Sequence, residues 1–155
     1  MWSGLSTLFA ILLSLQFVLI VFHDMVDLPG LHHGRQVRAA VGVRKFWIGT
    51  LINAIFPGLA CAFVLRFWHE AAPAYVTRYW AIYCAVTVAS AIGMWWLPYF
   101  FGTDDGTKRL YASMYAGTKH WLPARGENPR PNALHLAFHV LFVINLGLAV
   151  RLWLG

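Results

Sequence analysis

The chain predicts an all-α integral membrane protein, an antiparallel four-helix bundle, and three observations carry that prediction. Of its 155 residues 59% are hydrophobic and only 12% charged, with a mean hydropathy of +0.59. Soluble domains carry about 25% charged residues, so this chain lacks the polar surface that water requires. Four apolar runs are each about the 20 residues that a spanning helix needs. The basic residues, finally, gather in alternate connections. By length the whole of 1–155 is a single domain.

The first span is 2–22. It has no basic leader and no small-residue cleavage site, and further spans follow, so it reads as an uncleaved helix and not a signal peptide. Gln16, His23 and Asp27 lie seven and four residues apart and share a face if that helix runs on. Pro29-Gly30 ends it. The polar connection 31–45 carries His32, His33, Arg35, Arg38, Arg44 and Lys45. The second span, 46–68, contains Asn53 and Pro57-Gly58, and the third is 79–101. In the third, Tyr83, Thr87 and Ser90 form a mildly polar stripe suited to helix–helix hydrogen bonding. The long connection 102–131 repeats bulky residues near helical spacing from Lys108 to Trp121, which suits an amphipathic helix at the membrane interface. Pro123, Pro129 and Pro131 then forbid helix until the last span, 132–153. Cys61 and Cys84 fall in apolar runs and read as inert buried thiols, a disulfide staying open because the sequence gives no distance.

Orientation follows from the basic residues. Arg35, Arg38, Arg44, Lys45, Lys108, Arg109, Lys119, Arg125 and Arg130 occupy the connections after spans one and three, nine against Arg66, Arg78 and Arg151 on the other side. Positive-inside bias makes this a multi-pass protein of the cell inner membrane, with both long connections cytoplasmic and both termini outside. The tryptophans fall near the span ends, where an aromatic belt is expected. The net charge of +6 therefore concerns orientation and anionic headgroups. No basic patch interleaved with aromatics marks a nucleic-acid partner. The expected partners are the bilayer and a small amphiphilic molecule.

The candidate site lies at the inner ends of the spans. His23, Asp24 and Asp27 close span one, His32, His33 and His120 lie in the connections, and His135 and His139 open span four. Asn132, His135 and His139 are spaced three and four apart, on one helix face. His139 sits about two turns inside the membrane, where an ionisable group is costly and turns toward the bundle interior. Three readings are open. Histidine and carboxylate can act as acid and base on an amphiphilic or lipid-like molecule. His135 and His139, an i, i+4 pair, can bind a metal with His23 or its aspartates, or His23 and His139 can hold a haem. Or the chain is a non-catalytic interaction module whose arginines bind a partner or anionic lipid. The plain alternative for a His–Asp pairing across spans one and four is a structural hydrogen bond. Arg125 and Arg130 can grip a phosphate or carboxylate. In the plainer alternative the loop is a rigid re-entry, with Asn132 capping the last helix.

The segments WWLPYFFG at Trp95–Gly102 and LPARGENPRPNALH at Leu122–His135 resemble a group of small bacterial four-span membrane proteins without an assigned activity. That resemblance implies a shared fold and a shared inner loop. A fainter one, through His23-Asp24 at the end of span one, is to the EXPERA superfamily of sterol isomerases and relatives. The intramembrane glutamates of those isomerases have no counterpart here, so no catalytic residue is carried over from them.

Overall fold

The computed structural model describes residues 4–155, apart from the side chain of Asp24. Trp2 and the start of the predicted first span lie outside the described residues. Four segments are long and apolar enough to cross a membrane: α1 (Gly4–Phe22), α3 (Val43–Arg66), Ala74–Phe101, and α7 (Ala133–Leu154). They match the predicted spans within a few residues. The third starts earlier than expected because Pro73 sets its beginning, its carbonyl accepting from Val76 N at 2.9 Å and Thr77 N at 3.2 Å. Proline suits that place, having no N–H that a helix would miss.

The third segment is not one continuous α-helix. It divides into α4 (Ala74–Ala91), a π-helical turn at Ile92–Trp96, and α5 (Leu97–Phe101). Pro98 explains the break. It cannot donate to the Met94 carbonyl four residues back, and its ring crowds that oxygen. The turn before it widens, with Leu97 N donating to Ile92 O five residues back. The orphaned Met94 carbonyl accepts a hydrogen bond from Tyr111 Oη at 2.7 Å.

The connections hold more structure than expected. After α1 comes a 3-10 turn, His23–Met25, and then β1 (Asp27–Leu28) pairs antiparallel with β2 (His32–His33). Leu31 N donates to Leu28 O at 2.9 Å and Gly30 has φ 72°, the arrangement of a type II turn with proline leading and glycine at the left-handed position. The helix therefore does not run on to Asp27, and the predicted face shared by Gln16, His23 and Asp27 is not formed.

α2 (Gly34–Val41) follows, in a stretch that reads from the sequence as a plain polar connection. Its Val37 packs with Phe46 and Met114. The expected amphipathic helix is α6 (Asp105–Met114), which starts before Lys108 and stops well short of Trp121. Asp104 sets the start, its Oδ1 accepting from Thr107 N at 3.0 Å. The bonds from Thr107 pull the Asp104 carboxyl down to about 2. Gly117, at φ 74°, turns the chain away after the helix ends.

α4 packs along α7, and α1 lies against both α3 and α7, whereas α3 meets α4 only over a short stretch. Phe9, Leu13, Ala60, Val64, Trp80 and Cys84 belong to the apolar core. A polar chain crosses this core: Asn145 Nδ2 donates to Gln16 Oε1 at 2.6 Å, and Gln16 Nε2 to Tyr83 Oη at 2.9 Å. Tyr83 thus plays the helix-joining part its stripe suggests. Cys61 and Cys84 are both free thiols. Two tryptophans depart from the expected belt. Trp80 is buried and donates to Ala60 O at 3.1 Å, and Trp95 is buried against α7.

Candidate functional site

The site is built outward from Asn132. With Pro129 and Pro131 before it, the chain cannot be helical until Asn132, whose Oδ1 accepts from His135 N at 2.9 Å and caps α7. The same oxygen lies 2.9 Å from His135 Nδ1. An amide oxygen only accepts, so His135 carries its proton on Nδ1, and the lone pair of the neutral ring is on Nε2. Asn132 Nδ2 meanwhile donates to Leu31 O at 3.0 Å. Two backbone bonds reinforce that link, Lys119 N to Gly30 O at 2.7 Å and Ala133 N to Lys119 O at 2.8 Å. One residue therefore fixes a helix start, an imidazole and the β1–β2 hairpin together.

His23 likewise carries a proton on Nδ1, which lies 2.9 Å from Ile20 O and 3.0 Å from Leu19 O, both acceptors only. Three imidazoles then form a triangle, with ring centroids 5.2 Å apart for His23–His32, 5.8 Å for His23–His135 and 6.1 Å for His32–His135. Trp95 covers His135 at 4.3 Å between centroids, and Tyr115 meets its edge at 5.2 Å. Deeper along α7, His139 packs between Trp95 at 6.3 Å and Trp96 at 5.8 Å. Its Nδ1 is buried and has no hydrogen-bond partner among the described residues.

The π-turn that delivers both tryptophans rests on the Tyr111–Met94 bond. Tyr111→Phe is expected to destabilise the protein by about 1–2 kcal/mol, the cost of a carbonyl left without a donor. In a Pro98→Ala background, where residue 98 regains an N–H, the same change is expected to cost less. A double-mutant cycle read by chemical denaturation in micelles checks this.

His23, His135 and His139 line a cavity of about 410 Å³ with Trp95, Tyr111 and Tyr115. A second cavity of about 400 Å³ lies between α1, α3 and α4 and is walled by Phe56, Pro57, Ile82 and Val86 among others. The two share Ile20, Asn53, Thr87 and Ser90, so they adjoin. Their junction lies where α3 and α4 part. Thr87 Oγ1 donates to Tyr83 O at 2.9 Å. Asn53 and Ser90 are exposed at the junction, and their side chains make no hydrogen bond among the described residues.

Of the predicted residues, His23, His135 and His139 are brought together in this chamber. Asp27 is not. It accepts from Arg35 N at 3.2 Å and from Arg35 Nε, and those bonds hold its carboxyl below the usual carboxylate range. The hairpin, by ending the helix, gives Asp27 an arginine in place of the expected histidine. The Asp24 side chain lies outside the described residues. Arg125 and Arg130 are engaged with different partners. The Arg125 guanidinium stacks 5.3 Å over Tyr99 and 4.9 Å over Phe100, while Arg130 Nη1 donates to Leu122 O at 3.3 Å. Among the described residues no three His, Cys, Asp or Glu side chains are disposed to hold a metal. His135 and His139 thus gain no third ligand there.

Asn53, Trp95 and Asn145 enter the site or its support without having been singled out for it from the sequence. The signals existed: Pro98 three residues after Trp95, and lone asparagines inside apolar runs, where a polar side chain needs a reason. No family model matches this chain, and no curated protein and no solved structure matches it.

Proposed function

We propose that this chain is an antiparallel four-helix bundle of the inner membrane that binds a small amphiphilic or lipid-like molecule. The apolar part of the ligand lies between α1, α3 and α4, and its polar part reaches the imidazoles of His23, His135 and His139. The observation that carries this reading is the chamber's polarity. Asn53, Ser90 and the Nδ1 of His139 are unpaired polar groups set along one apolar cavity system. In a bilayer, polar groups without partners are costly and mark ligand paths. A ligand that pairs them removes that cost.

The exposed flanks agree with lipid on the outside, since Ile11, Leu15, Val18, Leu51, Ile55 and Val143 all face outward. The nine-to-three distribution of basic residues supports cytoplasmic connections, which puts the histidine end at the inner leaflet. The four spans and the inner loop fit the resemblance to the small bacterial four-span group. With the Nδ1 proton of His135 held against Asn132 Oδ1, the Nε2 of that ring is its basic atom, which equips the chamber for proton transfer to a bound headgroup.

Mass spectrometry of the lipids that co-purify in mild detergent tests the reading. A discrete amphiphile is expected in stoichiometric amount from the native protein. It is expected to fall by about tenfold in Asn53→Leu, which removes a hydrogen bond to the ligand. Co-purified lipid that matches the bulk membrane and is the same in both proteins speaks against the proposal.

A further inference from the structure

A second cavity stands behind the tyrosines. It measures about 270 Å³ and is lined by Lys108, Tyr111, Tyr115, His120, Asn128 and Arg130, with Glu127 beside them. Tyr111 and Tyr115 also line the histidine chamber, so they form a wall between the two spaces. On one side the lining is mostly apolar. On the other it is basic.

From these groups we infer that the cavity receives a terminal phosphate group. Arg130 is half-buried and spends one donor on Leu122 O, leaving most of its five N–H groups uncommitted. The Lys108 side chain is only 26% exposed, and its partner Asp105, at 3.3 Å, is 77% exposed, so solvent weakens that pair. Glu127 is exposed, a single carboxylate against two cations. His120 Nδ1 donates to Pro131 O at 3.1 Å, which leaves Nε2 beside Thr118 Oγ1 at 3.5 Å. Burial and the Arg130 charge both lower the His120 pKa. Positive potential in the cavity is therefore already felt by a neighbouring ring, and an anion would relieve it. Asn128 Nδ2 and Tyr111 Oη are committed to Tyr99 O and Met94 O, which leaves Arg130 and Lys108 as the recognising groups. The volume lies below the roughly 300 Å³ at which drug-sized ligand pockets begin, which favours a compact anion.

The phosphate can belong to a lipid headgroup or to a soluble phosphate, and the experiment separates them. Purified protein is titrated with inorganic phosphate by calorimetry. In parallel its thermal stability is compared in nanodiscs of phosphatidylcholine with and without phosphatidic acid. Response to inorganic phosphate marks a soluble source, and response to phosphatidic acid alone marks a lipid one. Either response is expected to weaken by tenfold or more in Lys108→Gln and Arg130→Gln, and to weaken in Arg130→Lys, which keeps the charge and loses the planar fork. Arg125→Gln, altering a stacked arginine outside the cavity, is expected to bind as the native chain does. Far-UV circular dichroism establishes that each variant is folded, and Arg130→Lys carries the test if Arg130→Gln is not. No response to either phosphate, or an equal loss in Arg125→Gln, overturns the inference. The inference does not rest on the amphiphile reading, because Ser90→Phe, which fills the chamber, is expected to leave the phosphate response intact.

Discussion

Asn132→Ala is expected to destabilise the protein by at least about 3 kcal/mol, and to lower occupancy of the chamber more than its distance from the ligand suggests. The magnitude comes from adding a lost N-cap, about 1 kcal/mol, to two groups left unpaired, at about 1–3 kcal/mol each. Those groups are the Nδ1–H of His135 and the carbonyl of Leu31. The effect on binding has a separate origin. Without Oδ1 beside it, the His135 ring is free to change tautomer and orientation, and the hairpin carrying His32 loses its tie to α7. Asn132→Asp keeps the accepting oxygen and loses the donor, so it is expected to preserve the α7 cap while loosening the hairpin. Denaturation midpoints of the two variants in micelles, with hydrogen exchange of the His32–His33 strand, distinguish these contributions.

Trp95→Ala is expected to cost a similar amount, about 3 kcal/mol, because a buried indole leaves a cavity that rigid helices fill poorly. Trp95 is 5% exposed and touches His135, His139, Tyr111 and Tyr115. It is the wall against which two imidazoles are oriented. Between helices in a membrane, association rests on such packing and not on water exclusion, so the loss is felt directly. Trp95→Phe retains a ring at that place and is expected to lose less than half as much. Denaturation in micelles measures both changes.

Much of the fold was legible in the sequence because four long apolar helices are written in composition. An apolar run of the right length leaves few structural options, since backbone groups in lipid must pair within the segment. The nearness of His135 and His139 to one another was legible too. His135 and His139 lie on one helix face by spacing alone, and the proline run announces where α7 begins. The prediction that failed, Asp27 on the His23 face, failed because Pro29-Gly30 makes a turn between two short strands rather than ending an extended helix. That preference depends on Lys119 and Asn132, residues distant in the chain that bond to Gly30 and Leu31, and local pattern cannot report them. Trp95 was hidden for a related reason. A tryptophan near a span end fits an interfacial belt, and only the widened turn before Pro98 turns it inward. The Tyr99 and Phe100 rings beneath Arg125 lie far back in the chain, and no local pattern puts them there.

The central claim is that the adjoining cavities from Phe56 to His139 form one amphiphile site. Photo-crosslinking with an alkyl diazirine amphiphile in nanodiscs, read by peptide mass spectrometry, tests it most directly. Saturable labelling is expected around Asn53, Ser90 and His139, and is expected to disappear in Ser90→Phe. Labelling spread evenly over outward residues such as Leu51, Ile55 and Val143, and unchanged by Ser90→Phe, would contradict it.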